Sequence, residues 1–148
     1  MASQTSEEFI YNDIRRKLHD NAKKDYNQEM IDFLKSKDWQ HCEYCKTKLL
    51  SKYETNYPWQ KVPSIDHKIP RVCGGSNEYD NMAIVCCRCN LVKGTMNYDT
   101  YLIFIKAITE EGEEIKERIL NEFFIGRKAN KLQRMEKEKC DGYGNSID

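Results

Sequence analysis

Four cysteines occur in two pairs that have the same spacing. Cys42 and Cys45 form the first Cys-x2-Cys pair, and Cys86 and Cys89 form the second. This spacing lets both thiolates of a pair reach one ion, and four thiolates suit a closed tetrahedral Zn²⁺ site without an open position for substrate. The sequence therefore predicts a structural zinc site. Cys87 competes with Cys86 for this role, and we prefer Cys86 because it keeps two residues between the partners.

Between the two cysteine pairs, and directly after them, lie residues that together could hydrolyse a phosphodiester. Asp66 and Asn90 offer hard oxygen ligands to a divalent cation, and His67 offers an imidazole that accepts a proton near neutral pH. A cation and a base are the minimum for this reaction, because the base deprotonates water while the cation stabilises charge on the phosphoryl oxygens. An Asp-His pair alone is a weak signal, so the interpretation depends on the order of the surrounding motifs.

The motifs of residues 42–94 closely resemble those of the HNH endonuclease family. In order, the chain contains Cys-x2-Cys, Asp66-His67-x2-Pro70, Gly74-Gly75, Asn81 and Cys-x2-Cys-Asn90-x2-Lys-Gly. The resemblance implies an α+β fold with a ββα-metal (His-Me finger) core and a structural zinc site of four cysteines, flanked by N- and C-terminal helices. In such a core a hairpin carries the first histidine, and the helix that follows carries the last motif residue.

The resemblance also implies a role for each residue of the site. His67 is similar to the family's general base, and Asp66 is similar to a ligand of the catalytic metal. Asn81 fills the middle position, whose side chain fixes the wide loop of the hairpin and so orients the histidine. Asn90 stands where the final histidine often stands and would be the second metal ligand. The implied cofactors are structural Zn²⁺ and catalytic Mg²⁺ or Mn²⁺.

Basic residues near the motifs are candidate phosphate contacts, but the chain as a whole is not basic. Lys93 would lie one helical turn from Asn90 on the same face, and Arg71 and Arg88 are comparable candidates. The 24 Lys and Arg residues are balanced by 24 Asp and Glu residues, which gives a net charge of 0. The chain therefore lacks the usual electrostatic signature of a nucleic-acid-binding protein, and we expect any binding to be local and salt-sensitive.

The function implied by the resemblance is metal-dependent hydrolysis of DNA phosphodiester bonds, with double-stranded DNA as the partner. Two alternatives stay open. One is a catalytically inactive zinc-containing module that binds nucleic acid, and the retained Asp66, His67, Asn81 and Asn90 count against it. The other is an RNase or structure-specific nuclease that uses the same site, because neither the fold nor the site determines the substrate.

The hydrophobic pattern predicts helices before the motifs and a hairpin within them. The first helix covers residues 6–21 with Ser6 as its N-cap, and the second begins near Tyr26 or Asn27 and ends before Trp39. Strands over residues 62–67 and 81–85 form an antiparallel hairpin with a long loop. A short helix then starts at Leu91.

The C-terminal part is predicted to be helical. Asn97 or Asp99 caps one helix, and residues 113–139 form either one long helix or two helices broken near Gly126. Phe123, Phe124 and Ile125 lie in this region, which either packs on the core or provides the face of a homodimer. These two alternatives also stay open.

The length of 148 residues is that of one domain. We therefore predict a single nuclease domain with an N-terminal helical region (1–40), a zinc-stapled core (41–97), a C-terminal helical region (98–139) and a flexible tail (140–148). The chain has no apolar run of about 18 residues and no secretory pattern at its N-terminus, so we expect no membrane partner and a cytoplasmic location. Restriction, phage packaging and a mobile element all stay open as its biological role.

Overall fold

The protein combines helices with a two-stranded sheet. The computed structural model describes residues 5–147, with side chains described for residues 5–138. In chain order the elements are α1 (Ser6–Ala22), α2 (Gln28–Ser36), β1 (Pro63–His67), β2 (Met82–Cys86), α3 (Cys87–Lys93), α4 (Tyr98–Glu110) and α5 (Glu113–Ile147). The mixed fold class that we predicted is confirmed at this level. The predicted tail over residues 140–148 falls outside the described side chains.

The two N-terminal helices begin at polar caps. Thr5 caps α1, where its hydroxyl accepts a hydrogen bond from the amide of Glu8 and the Glu8 carboxylate accepts one from the amide of Thr5. We had predicted Ser6 as the cap. The observed cap is one residue earlier, because the reciprocal bond needs Glu8 at the third helical position. Asn27 caps α2 through its side-chain oxygen, which agrees with a helix predicted to begin near Tyr26 or Asn27.

The hairpin follows the predicted order, with β1 antiparallel to β2 and His67 opposite Met82. All five residues of β2 are buried, so this strand lies within the core. The next helix, α3, starts at Cys87, four residues before the predicted start at Leu91. The physical reason is a sulfur cap: the Cys86 thiol accepts a hydrogen bond from the amide of Cys89 at 3.3 Å. The second cysteine pair thus forms the first turn of α3.

One hydrophobic core joins the helices to the hairpin. It contains Ile14 and Leu18 of α1, Ile84 of β2, Tyr101 of α4 and Leu120 of α5. Asn97 caps α4, and α5 continues through Gly126 as one helix, which decides two of the alternatives left open. Within the described residues, no helix combines the length and apolar character that a membrane span needs.

Arg88 connects α3 to α5 inside the protein. Its side chain is 0% exposed, and its two terminal nitrogens bind the two carboxylate oxygens of Glu117 at 2.7 and 2.9 Å. One of them also donates to Asn121 at 2.9 Å. A guanidinium that is removed from water needs such paired acceptors, since an uncompensated buried charge is strongly destabilising. This pair therefore joins α5 to the cysteine-bearing helix, beside the apolar contacts of Leu120 and Phe124.

We expect Glu117→Gln to lower the free energy of unfolding by about 1–3 kcal/mol, because it leaves the Arg88 charge buried and unpaired. The effect should stay below that of a fully buried pair, since the Glu117 side chain is 31% exposed. Chemical denaturation measures it, with Glu114→Gln on the exposed side of α5 as the matched control. Equal effects of the two variants would contradict the role of the pair.

The same pair predicts a pH dependence. The hydrogen bond from Arg88 lowers the pKa of Glu117. A lowered pKa in the folded state means that the stabilisation is present above the ordinary glutamate pKa and is lost as the pH falls towards the lowered value. The stability difference between the wild type and Glu117→Gln should therefore shrink as the solution is acidified through this window.

Candidate active site

The four paired cysteines meet at one buried point. The sulfur atoms of Cys42, Cys45, Cys86 and Cys89 all lie within 4.8 Å of one another, and the Cys45 and Cys86 sulfurs are 3.8 Å apart. In a tetrahedron with Zn–S bonds near 2.3 Å the sulfurs are about 3.8 Å apart, so the cluster fits this ion. The described chain has no other group of three or more His, Cys, Asp or Glu side chains arranged to hold a metal.

The cluster is shielded from solvent, and contacts among its thiols lower the pKa of Cys42 and Cys45 and raise that of Cys86 and Cys89. Contacts with the neighbouring thiols, first that of Cys42, hold the pKa of Cys45 well below its usual range. Arg88 donates to the Cys45 sulfur at 3.7 Å and brings a positive charge to the cluster. All four cysteines are buried, which suits a structural ion. Cys87 points away and contacts the carbonyl of Pro63 instead.

The predicted reactive residues line one open cleft beside the hairpin. Asp66, His67 and Asn90 all border this cleft, whose volume is about 470 Å³. Its wall includes consecutive residues of β1, and a two-stranded sheet leaves one edge of each strand unpaired. Side chains from both faces of β1 therefore reach the same space, although neighbouring residues of a strand point in opposite directions. His67 is also the last residue of the strand, where the chain turns away.

Asp66 is held from the inside of the protein by two residues. Its Oδ2 accepts a hydrogen bond of 2.5 Å from the Tyr44 hydroxyl and lies 3.1 Å from the Lys93 ammonium. Burial raises the pKa of Asp66, while the contacts with Tyr44 and Lys93 act in the opposite direction. Both contacts use Oδ2 and neither uses Oδ1. The carboxylate is thus fixed in orientation while one oxygen is left for the cleft.

His67 is held by Asn77, a residue that sequence analysis did not single out. The Nε2 atom of His67 is 2.8 Å from the Asn77 side-chain oxygen and 3.4 Å from Nε of Arg71. Because the contact with Asn77 is the shorter, we assign the proton to Nε2, where it donates to the amide oxygen. Nδ1 then carries the free lone pair. The sequence offered no signal for Asn77 beyond its place in the predicted loop.

Asn81 fixes the loop that carries Asn77. Its amide nitrogen donates to the carbonyls of Ile69 and Ser76 at 3.1 and 2.8 Å, and its oxygen accepts from the amide of Ile69 at 2.9 Å. One side chain thereby joins the two arms of the loop. The arms approach so closely that a Cβ atom on Gly75 would lie 1.7 Å from the Ile69 oxygen. Only glycine fits this position, which explains the second residue of the Gly74-Gly75 motif.

Asn90 faces the cleft from α3. Its amide nitrogen donates to the Ser64 hydroxyl at 2.7 Å and to the Ile65 carbonyl at 3.4 Å. With the nitrogen anchored to β1, the side-chain oxygen is left as an acceptor. The cleft thus brings together a carboxylate oxygen, an amide oxygen and an imidazole nitrogen, which are the donors that a hard divalent cation and a general base require.

The three candidate phosphate contacts lie in different environments. Arg71 borders the cleft, where its guanidinium contacts His67 and the carbonyl of Asn21. Lys93 is buried and binds Asp66 and the His67 carbonyl, whereas Arg88 binds Glu117. A fully buried cation with its own acceptors has no surface to offer a phosphate. The geometry therefore argues against the phosphate roles predicted for Lys93 and Arg88, and leaves Arg71 as a candidate.

The family model described as HNH endonuclease matches residues 42–95, which hold the cysteine cluster and the cleft residues of the hairpin and α3. The predicted family resemblance is confirmed. We call residues 42–95 the HNH segment. It indicates nuclease-type chemistry on nucleic acid with a divalent metal. No curated protein and no solved structure matches the chain significantly.

We expect the HNH segment to retain zinc through the four cysteines. Cys42→Ser should abolish bound zinc in elemental analysis of the purified protein and lower its thermal stability, because a structural zinc can contribute on the order of 10 kcal/mol to folding. Cys73→Ser is the matched control, since Cys73 is exposed and lies outside the cluster. Unchanged zinc content in Cys42→Ser would contradict the assignment.

Proposed function

We propose that this protein is a metal-dependent HNH endonuclease that hydrolyses DNA phosphodiester bonds. The observation that carries the proposal is the meeting of Asp66, His67 and Asn90 at one open cleft within the HNH segment. In this proposal β1, β2 and α3 form the ββα-metal core. The chain from residue 1 to 148 acts as one domain, which is supported by the packing of α1 on β1 and of α5 on α3.

His67 is the general base in this mechanism. Its Nδ1 accepts a proton from the attacking water, while Nε2 keeps its own proton in the bond to Asn77. The positive charge that forms on the ring is then stabilised by the Asn77 oxygen. Asn81 acts through the loop, because it holds Ser76 and Ile69 together and so limits the positions that Asn77 can take. Asn77 and Asn81 are thus positioning residues.

Asp66 and Asn90 would hold the catalytic cation, which is Mg²⁺ or Mn²⁺ in this proposal. When bound, such a cation stabilises charge on the phosphoryl and leaving oxygens. Two protein oxygens leave several coordination positions for water and phosphate, as Mg²⁺ prefers. Tyr44 and Lys93 contribute indirectly, because they fix Oδ2 of Asp66 and favour its charged form. Zn²⁺ at the cysteine cluster has no part in the chemistry.

The proposed partner is DNA. The cleft is open, so a phosphodiester within a chain can enter it without a free end, and Arg71 lies beside His67 where it can bind a phosphate oxygen. Double-stranded DNA is the expected form. Exposed apolar side chains of α5, among them Phe123, Ile125 and Leu132, support a homodimer through the C-terminal helical region. Two sites in one dimer would make cleavage of both strands natural.

His67→Ala should lower the rate of plasmid nicking by about 10²–10⁴-fold in Mg²⁺ or Mn²⁺, because a general base contributes that much. DNA binding, measured by electrophoretic mobility shift, should be retained. His41→Ala is the matched control, since this histidine is exposed, its ring bonds to Asp38 and it does not line the cleft. Equal inactivity of the wild type and His67→Ala in Mg²⁺, Mn²⁺ and Ni²⁺ would favour a binding module, and preferential cleavage of labelled RNA would favour an RNase.

Tyr44→Phe should raise the metal concentration needed for half-maximal cleavage. Burial raises the pKa of Asp66, and the hydrogen bond from Tyr44 opposes this rise. Loss of the hydrogen bond should therefore raise that pKa further and leave less carboxylate at low pH. The effect should therefore be larger at pH 6 than at pH 8. Tyr98→Phe is the matched control, because Tyr98 packs against Tyr44 but makes no contact with Asp66. A pH-independent loss of activity would contradict this mechanism.

A further inference from the structure

A second concavity adjoins the catalytic cleft on the other side of Asn90. Its volume is about 390 Å³, and Ser64 and Asn90 border both spaces. The rest of its wall is largely apolar and includes the aromatic residues Tyr57, Trp59 and Phe124, with Lys128 of α5 beside them. We call this concavity the aromatic pocket. It has no part in the mechanism described above.

Two large aromatic side chains of the aromatic pocket are left in water. Tyr57 is 72% exposed and Trp59 is 42% exposed, and their rings meet edge to face with centroids 5.6 Å apart. The Lys128 ammonium lies 4.3 Å from the centroid of Tyr57 and 3.2 Å from its hydroxyl. Exposing these rings forgoes the free energy that burial would provide. A cluster of exposed rings with a cation is the composition of a nucleobase-stacking platform.

The backbone at Trp59 is also in an unfavourable conformation. Its φ angle is 55°, in the left-handed region, which costs roughly 1–2 kcal/mol for a residue with a Cβ atom. The conformation is stabilised by hydrogen bonds from its amide to the Asn56 carbonyl and from the Val62 amide to its own carbonyl. Strain of this kind is concentrated at sites of function. Here it presents an indole at the edge of the space shared with Asn90.

We propose that the aromatic pocket binds one unpaired nucleobase of the DNA strand, next to the scissile phosphate. The inference rests on the proposed function and specifies its substrate class. A base within a duplex has both faces covered by its neighbours, so only an extruded or single-stranded base can stack on Trp59 or Tyr57. The shared border at Asn90 puts this base beside the phosphate in the cleft, and Lys128 can bind the adjoining phosphate.

The preferred substrate is therefore expected to differ from a fully paired duplex. A site with Trp59 and Tyr57 should prefer DNA that carries an unpaired nucleotide at the cleavage position, such as a single strand, a bulge or a mismatch. Such a base is cheaper to place in the pocket, because less stacking and pairing has to be broken. The preference should be largely independent of base identity, since every base has a π-face and stacking on an aromatic ring tolerates any base.

Fluorescence of Trp59 tests the contact without requiring activity. In a His67→Ala, Trp39→Phe variant Trp59 is the only tryptophan, because the chain contains two. A short single-stranded DNA should quench it, whereas the same DNA with an abasic nucleotide at the stacking position and a fully paired duplex should quench it much less. A fluorescence change that depends on protein concentration without DNA would mean that a second copy of the chain covers the pocket, and would overturn the proposal.

Substitutions test the contribution to cleavage in the wild-type background. Trp59→Ala and Tyr57→Ala should each raise KM for DNA with an unpaired nucleotide by about 5- to 150-fold, the range expected for losing one stacked base. Trp59→Phe should restore most of the affinity, since it keeps a ring. Tyr53→Ala is the matched control for Tyr57→Ala, because Tyr53 is 70% exposed in the same connection but packs on Phe9. Lys128→Ala should also raise KM, because it removes the proposed phosphate contact, and Lys131→Ala on the exposed side of α5 is its control.

The two proposals can fail separately. If the wild type cleaves DNA through His67 while Trp59→Ala cleaves equally well and no quenching occurs, the aromatic pocket has no role and the nuclease assignment stands. If quenching requires the base but no DNA is cleaved under any metal condition, the pocket binds a nucleobase and the hydrolytic assignment fails. Circular dichroism of each variant distinguishes a lost contact from a lost fold.

Discussion

The rest of the structure depends on the contact between the two cysteine pairs. Cys45 and Cys86 make this contact although they are 41 residues apart in the chain. A two-stranded hairpin is at best marginally stable alone. Here its second strand runs directly into a cysteine-bearing helix, and the cluster ties that junction to the turn formed by residues 42–45. Asn90 follows immediately on α3, while Asp66 is held by Tyr44, which stands between Cys42 and Cys45. The cluster thus places both metal-binding candidates relative to each other.

Two buried cations of α3 have different partners, one at the structural cluster and one at the reactive cleft. Arg88 contacts the cysteine cluster and forms an ion pair with Glu117, so its charge stabilises the packing of α5. Lys93, five residues later on the same helix, faces Asp66 and the carbonyl of His67. Both cations were predicted as candidate phosphate contacts. Their burial leaves Arg71 as the predicted phosphate contact that borders the cleft, and this agrees with a net charge of 0 and with binding that depends on local contacts.

Features with a local signature could be predicted from the sequence. The spacing of the cysteines, the hairpin, the start of α2 near Asn27 and a cap of α4 at Asn97 or Asp99 depend on residues close in the chain. The contacts that orient the site could not be predicted, because they join distant residues: Tyr44 is 22 residues from Asp66, and Glu117 is 29 residues from Arg88. The early start of α3 was missed for a different reason, since sulfur is not among the usual capping groups.

The segment between the first cysteine pair and β1, residues 46–62, carries the proposed selectivity of the site for unpaired DNA. The structure puts its aromatic residues on two sides of the protein: Tyr53 packs on α1, whereas Tyr57 and Trp59 face α5 beside Asn90. The metal and base chemistry needs only a phosphate, which every nucleic acid provides. Discrimination between paired and unpaired DNA must therefore come from contacts outside the cleft, and Trp59 adjoins the cleft where a neighbouring base would lie.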